Sequence, residues 1–203
     1  MKWPISSKSG VVLIILYCAF TFSSWALYPA SYNPVTNWLS DLGNSARNPK
    51  GSILYNVGCV ETGIALLPFF TGLNEWYTDE KRRKRAVVAA QVIGCATAFS
   101  LIMIGVFSED YGWLHNLWSE VFFLLNLIVI VVLGVALFTH PRYLKAIAAY
   151  GFIVAAINLI FLFLPNTPLL EWFTVFTALG YVGLISYNMT REMRSSPNPS
   201  HHV

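Results

Sequence analysis

The residues of this chain that could carry chemistry are one histidine and a few acidic residues set in a strongly apolar sequence. Asp41, Asp110 and His115 lie in short polar stretches or at their edges, and Glu120 follows five residues after the histidine. A histidine titrates near neutral pH and can act as a general base, while carboxylates can act as acids or bind a divalent metal together with an imidazole. We therefore predict a polar site of Asp41, Asp110 and His115, with a divalent metal as a candidate cofactor held by these three residues and Glu120.

A further acidic residue, Glu61, stands alone about ten residues into an apolar run. Ionisable residues inside a membrane are expensive and are usually functional. The interpretations left open are a carboxyl that supports the polar site, the ion site of a carrier, and a protonated group that hydrogen-bonds neighbouring helices. Counting along each run predicts one central layer that Glu61 shares with the polar residues of four other runs, which are Thr97, Asn126, Asn158 and Thr177.

The elements that must position these residues are transmembrane helices. Of the 203 residues, 56% are hydrophobic and 11% are charged, whereas soluble domains carry about 25% charged residues. The sequence predicts an all-α membrane protein with a single domain over residues 1–194 and a disordered tail at 195–203. Six runs are long enough to cross the hydrocarbon of a bilayer, at residues 10–28, 52–73, 86–107, 117–138, 146–164 and 169–189.

The distribution of Lys and Arg predicts that both termini face the cytoplasm. With the N-terminus inside, only Arg47 and Lys50 lie outside, and the other eleven basic residues lie inside. The alternative that stays open is cleavage of the first run as a signal peptide, since Lys8, an apolar stretch and Ser24-Trp25-Ala26 are typical of one. The inside residues are Lys2, Lys8, Lys81, Arg82, Arg83, Lys84, Arg85, Arg142, Lys145, Arg191 and Arg194.

Two polar stripes begin at the predicted outer face. His115, Ser119 and Asn126 follow helical spacing on the fourth run, and Glu171, Thr174, Ala178 and Tyr181 do so on the sixth. They predict a water-accessible cleft between helices, although Glu171 alone is more typical of a solvated or helix-capping charge. In the long outer loop, residues 35–42 are predicted as a short interfacial helix with Trp38 and Leu42 facing lipid.

Two short motifs resemble a prokaryotic membrane family called domain of unknown function 998. The stretch YNPVTNWLSDLG, Tyr32–Gly43, resembles its first outer loop, and GVFSED, Gly105–Asp110, followed by His115, resembles its Gly-x-Phe-Pro-x-Asp element. Ser108 replaces the usual proline, while Asn56 and Gly63 also fit the family pattern. The resemblance implies that Asp41, Asp110 and His115 form a set, in a multi-pass protein of a prokaryotic cytoplasmic membrane.

Three functions remain open at this point. The first is a membrane enzyme acting on a lipid or lipid-linked headgroup at the outer leaflet, with His115 as base or ligand, Asp41 and Asp110 as ligands or acids, and Glu61 in support. The second is a small ion-coupled carrier that uses Glu61, and the third is a scaffold without catalysis. The partner expected is the lipid bilayer. A nucleic-acid partner is not expected, since no basic, aromatic patch is present, and the sequence leaves the oligomeric state open.

Overall fold

A computed structural model of the protein describes residues 3–164 and 167–195, with side chains to residue 192. The described residues form six long helices and no β-strand, which confirms the predicted all-α fold. All six are long and apolar enough to cross a membrane. The helices are α1 Ile5–Ala26, α2 Ser52–Thr71, α3 Lys81–Val106, α4 Trp113–Phe138, α5 Lys145–Phe163 and α6 Pro168–Ser195.

Several helices extend beyond the predicted apolar runs. α1 begins at Ile5 and α3 at Lys81, five residues before each run. The apolar run marks the hydrocarbon thickness, whereas the backbone continues its hydrogen bonds into the polar zone, where Lys and Arg side chains reach water. The predicted disordered tail lies outside the described residues, apart from Ser195, which ends α6.

The six helices form a ring in chain order. Each helix packs against the next, and α1 closes the ring against α6. The α2–α3 pair is held close because a Cβ on Gly63 would lie only 2.8 Å from the backbone oxygen of Ala98, as small residues allow in membrane helix pairs. We call the side carrying residues 27–51 and 107–112 the loop end, and the opposite side, with most Lys and Arg residues, the basic end.

The long segment 27–51 folds over the loop end. It contains a 3₁₀ helix, Leu39–Gly43, which we call the loop helix. Leu39 and Leu42 are 1% and 0% exposed, so the prediction that Leu42 faces lipid is wrong: the helix packs onto the bundle. The Asn48 amide fixes the segment by donating hydrogen bonds to the backbone oxygens of Ser24 (3.2 Å) and Leu42 (3.0 Å).

Candidate functional site

A cavity lies inside the ring of helices. Its volume is about 100 Å³, and its walls come from α1, α2, α3, α4, α6 and the loop helix. The half toward the basic end is lined by hydrocarbon and aromatic side chains, with Tyr181 as its polar exception. That apolar lining includes Leu13, Leu66, Phe69, Phe70, Leu133 and Ile185.

Polar side chains line the other half of the cavity. The two predicted stripes meet here, since His115, Ser119 and Asn126 of α4 face the same space as Glu171 of α6. Thr174 differs from the prediction, because its hydroxyl donates to the Leu170 carbonyl one turn earlier (2.8 Å). Lipid-facing helices alone would not create this pattern, and the cavity is therefore the candidate functional site.

His115 is held in a defined orientation. Its ring is 5% exposed, and Nδ1 lies 2.9 Å from the carbonyl oxygen of Phe107. Because a carbonyl only accepts, Nδ1 carries the hydrogen, and Nε2 of the neutral ring is an acceptor. The turn that brings Phe107 back to His115 ends at Gly112, whose φ of 55° is in the left-handed region that glycine tolerates.

Glu171 connects α6 to the loop helix. It is 8% exposed, and its Oε2 accepts a hydrogen bond of 2.6 Å from the backbone N–H of Leu39. The first N–H groups of a helix have no partner within the helix, so a carboxylate there is stabilising. Glu171 is therefore a buried cap for another segment rather than a solvated charge, and it also lines the cavity.

Asp41 organises the loop helix itself. Its Oδ2 accepts the N–H of Trp38 at 3.1 Å, and its Oδ1 pairs with the Arg47 guanidinium. Arg47 also lies 3.7 Å from the Glu109 carboxylate. Asp41 is buried but is not among the residues lining the cavity, so its carboxylate shapes the segment above the site.

Asp110 joins two loops. Its carboxylate accepts the backbone N–H of Ser45 at 3.0 Å, the Ser45 hydroxyl at 3.1 Å and the Ser108 hydroxyl at 3.0 Å. Ser108 thus contributes a hydroxyl to this connection. Asp110 holds the turn between α3 and α4 against segment 27–51 and does not line the cavity.

The structure does not gather the proposed metal ligands. Among residues 3–164 and 167–195, no three His, Cys, Asp or Glu side chains lie where they could hold a metal ion together. Asp41 and Asp110 are engaged by local hydrogen bonds, while Glu120 is exposed and lines only a side cleft. Of the predicted set, His115 alone lines the cavity, because the fold uses the two aspartates to fasten loops.

Glu61 lies outside the site. It is exposed on the outer surface of α2, whereas Thr97 and Asn126 line the cavity. Asn158 donates to the Phe123 carbonyl (3.2 Å), and Thr177 donates to the Phe173 carbonyl one turn away (2.6 Å). The predicted central layer is therefore not one cluster, since depth along a helix does not fix the direction in which a side chain points.

A side cleft lies at the flank of the bundle, next to the polar half of the cavity. Its walls are α4, the loop helix and the loop-end turns of α5 and α6. The cleft and the cavity share five lining residues, so the two spaces are adjacent. The shared residues are Ser40, His115, Ser119, Phe123 and Glu171.

Sequence reasoning missed several polar residues of the cavity. Tyr17, Tyr55 and Thr62 line it from α1 and α2. These residues lie inside apolar runs, where a single hydroxyl does not distinguish an inward-facing position from a lipid-facing one. The spacing of seven between Tyr55 and Thr62 places both on one face of α2. This shared face was the feature of the sequence that could have indicated their place in the cavity wall.

The sequence also matches a known family. Residues 11–187 match the family described as a protein of unknown function, DUF998. The match extends from α1 to α6 and includes both motifs that carried the resemblance, which confirms it. No curated protein and no solved structure matches the chain.

Proposed function

The chain belongs to the DUF998 family, and from that premise we propose that it binds an amphiphilic lipid in its central cavity and acts on the headgroup. Its six apolar helices make it a multi-pass membrane protein. The single observation that carries the proposal is the division of the cavity. Polar side chains concentrate at the loop end and hydrocarbon side chains at the basic end, in one continuous space.

A lipid matches this division. A chain of methylene groups gains about 0.8 kcal/mol for each CH₂ that it buries from water, and an apolar cavity inside a bundle offers such burial. A headgroup left in hydrocarbon loses its hydrogen bonds at considerable cost. With the headgroup beside His115 and Glu171, and the chain directed toward Phe69 and Leu133, both requirements are met.

The chemistry proposed at the loop end is acid–base chemistry at the headgroup. His115 Nε2 is the candidate base, because the bond from Nδ1 to the Phe107 carbonyl leaves Nε2 as the acceptor nitrogen of the neutral ring. Ser119 and Ser40 supply hydroxyls that orient the headgroup. Asp41 and Asp110 act as positioning residues through the loops that they fasten.

The side cleft is the proposed entrance for the lipid. It opens between α4 and the ends of α5 and α6, where Leu124, Phe161 and Phe163 flank the polar residues of the cavity. With both termini in the cytoplasm of a prokaryote, as Lys and Arg predict, the entrance faces the outer leaflet of the cytoplasmic membrane. The carrier alternative gains no support, since Glu61 lies outside this space.

Filling the cavity tests the binding part of the proposal. Ala178 lines the cavity, whereas Ala96 is exposed on the outer surface of α3. We expect Ala178→Trp to weaken lipid binding by about tenfold or more, equivalent to about 1.4 kcal/mol, and Ala96→Trp to leave it unchanged. Native mass spectrometry of the purified protein with phosphatidylethanolamine, phosphatidylglycerol or polyprenyl phosphate gives the affinities. Equal binding by both variants would show that lipid does not occupy the cavity.

The action on the headgroup needs its own experiment. The same three lipids are incubated with the protein in liposomes and then analysed by liquid chromatography and mass spectrometry. We expect one of them to be converted by the wild type, and His115→Ala to bind that lipid but to abolish the conversion. Three unchanged lipids would reject the catalytic part, and conversion by His115→Ala would reject the role of the imidazole.

A further inference from the structure

The outer face of α2 carries an ionisable group in the middle of the membrane. Glu61 is the tenth of the 20 residues of α2, so it lies about 15 Å from either end at 1.5 Å per residue. Its side chain is exposed, and within the described part of the chain it makes no hydrogen bond or ion pair. A carboxyl group therefore points from the bundle toward the hydrocarbon of the bilayer.

The surroundings of Glu61 form one apolar stripe. Ile53, Val57 and Ile64 follow at spacings that place them on the same face of α2, and they are 64%, 38% and 48% exposed. Hydrocarbon offers neither donor nor acceptor, so a polar group facing it is costly and needs a partner. The stripe thus has the features of a surface that another helix covers.

The chemistry of the carboxyl group favours a second copy of the chain as that partner. A carboxyl group that carries its proton offers one O–H donor and one acceptor oxygen. A two-fold axis along the membrane normal brings the same residue of both copies to the same depth. Two Glu61 carboxyl groups then complement each other, each donating to the other, with Val57 and Ile64 packing on either side.

We propose that the protein forms a two-fold symmetric dimer through the outer stripe of α2, with the two Glu61 carboxyl groups hydrogen-bonded at the bilayer centre. The interface lies on the outside of the ring and leaves the cavity free. It is independent of lipid binding, so the failure of either proposal leaves the other standing.

Energy transfer between fluorescent copies of the full-length protein in liposomes tests the interface. Glu61→Leu removes the hydrogen-bonding group at similar size, and Glu61→Gln keeps a donor and an acceptor. We expect Glu61→Leu to weaken dimerisation by about tenfold or more and Glu61→Gln to remain close to the wild type. Glu120→Leu, which removes an exposed carboxylate elsewhere, is the control and is expected to dimerise normally.

Cross-linking adds a test of which residues lie at the interface. In a background without Cys18, Cys59 and Cys95, Ile64→Cys places a thiol on the stripe beside the proposed axis and leaves Glu61 in place. Ile153→Cys places one at a similar depth on exposed α5, across the ring from α2. We expect mild oxidation to give a covalent dimer with Ile64→Cys only. The proposal is overturned if the wild type is monomeric, if Glu61→Leu dimerises as well as the wild type, or if both positions cross-link equally. The first of these results is also the one expected if a different membrane protein covers the stripe.

Discussion

At the scale of single residues, Glu109 at the loop end is an acidic residue whose surroundings change its pKa. Glu109 lies beside the Asp41–Arg47 pair, and its Oε2 is buried without a hydrogen-bond partner. Burial raises the pKa of Glu109 above its ordinary value of 4.5, the nearby Asp41 carboxylate raises it further, and the Arg47 guanidinium opposes this only in part. The charged form of Glu109 is therefore less favourable in the folded protein than in the unfolded chain.

This difference predicts a pH dependence of stability. Between the ordinary and the raised pKa the folded protein binds more protons at Glu109, so its contribution to stability falls as pH rises through this interval. We expect Glu109→Gln to melt at a higher temperature than the wild type at about pH 8, with the difference vanishing toward about pH 4. Thermal melts in detergent, followed by circular dichroism, measure it.

The control for this melt is Glu120→Gln, which neutralises an exposed carboxylate on α4 and is expected to leave the melting temperature nearly unchanged. A lower melting temperature for Glu109→Gln at about pH 8 would mean that the attraction of Arg47, 3.7 Å away, outweighs the cost of burial.

At the scale of elements, the segment 27–51 is a cover held at several points. Glu171 holds the start of the loop helix, Asp41 closes its first turn, and Asp110 holds Ser45 beyond its end. Asp41 and Asp110, which lie in the two motifs that resemble the family, are thus two of the attachment points of this cover. An acidic side chain is needed at these positions to accept hydrogen bonds from backbone N–H groups and to pair with the Arg47 guanidinium. No direct contact with a ligand is required to explain it.

Releasing one attachment should loosen the cover. Asp110→Ala removes the hydrogen bonds to Ser45 and Ser108, and each such bond contributes about 1 kcal/mol. We expect faster cleavage by trypsin after Arg47 and Lys50, which are exposed in this segment, while the helices stay intact. Electrophoresis of timed digests of protein in liposomes measures the rate.

Two comparisons make this digestion specific. Ser45→Ala removes only the hydroxyl contact to Asp110 and should give an intermediate rate. Glu75→Ala, at the opposite end of the bundle, should digest like the wild type. If Asp110→Ala were as resistant as the wild type, the other attachments would suffice to hold the cover.

At the scale of the whole molecule, the side chains that point into the ring do not fill its interior. α5 contributes no residue to the cavity wall, and it closes the ring by packing between α4 and α6. The cavity is therefore a property of the closed ring, and no pair of helices would form it alone.

The orientation of the ring in the membrane gives the last prediction. If the positive-inside rule holds, the loop end faces outward and the basic end faces the cytoplasm. In a background without the three cysteines, we expect a membrane-impermeant maleimide to label Ala46→Cys in intact cells and Asn74→Cys only after lysis; both positions are exposed. The reverse labelling pattern would show that the protein has the opposite orientation, with the cavity entrance in the inner leaflet.

The sequence by itself determined the number of helices, their approximate bounds and the family. These properties are local, since an uninterrupted apolar run reports the hydrocarbon thickness directly. It also determined that His115, Ser119 and Asn126 share a face of α4 with each other, because that follows from helical spacing alone.

Only the tertiary structure decided which face of each helix points inward. Between 33% and 44% of each span is buried, but lipid is as apolar as the interior, so the sequence shows little difference between the two faces. Glu61 could therefore be placed at the right depth but not in the right direction. Likewise, the roles of Asp41, Asp110 and Glu171 depend on backbone N–H groups that the folded loop brings to them, and no residue spacing encodes those contacts.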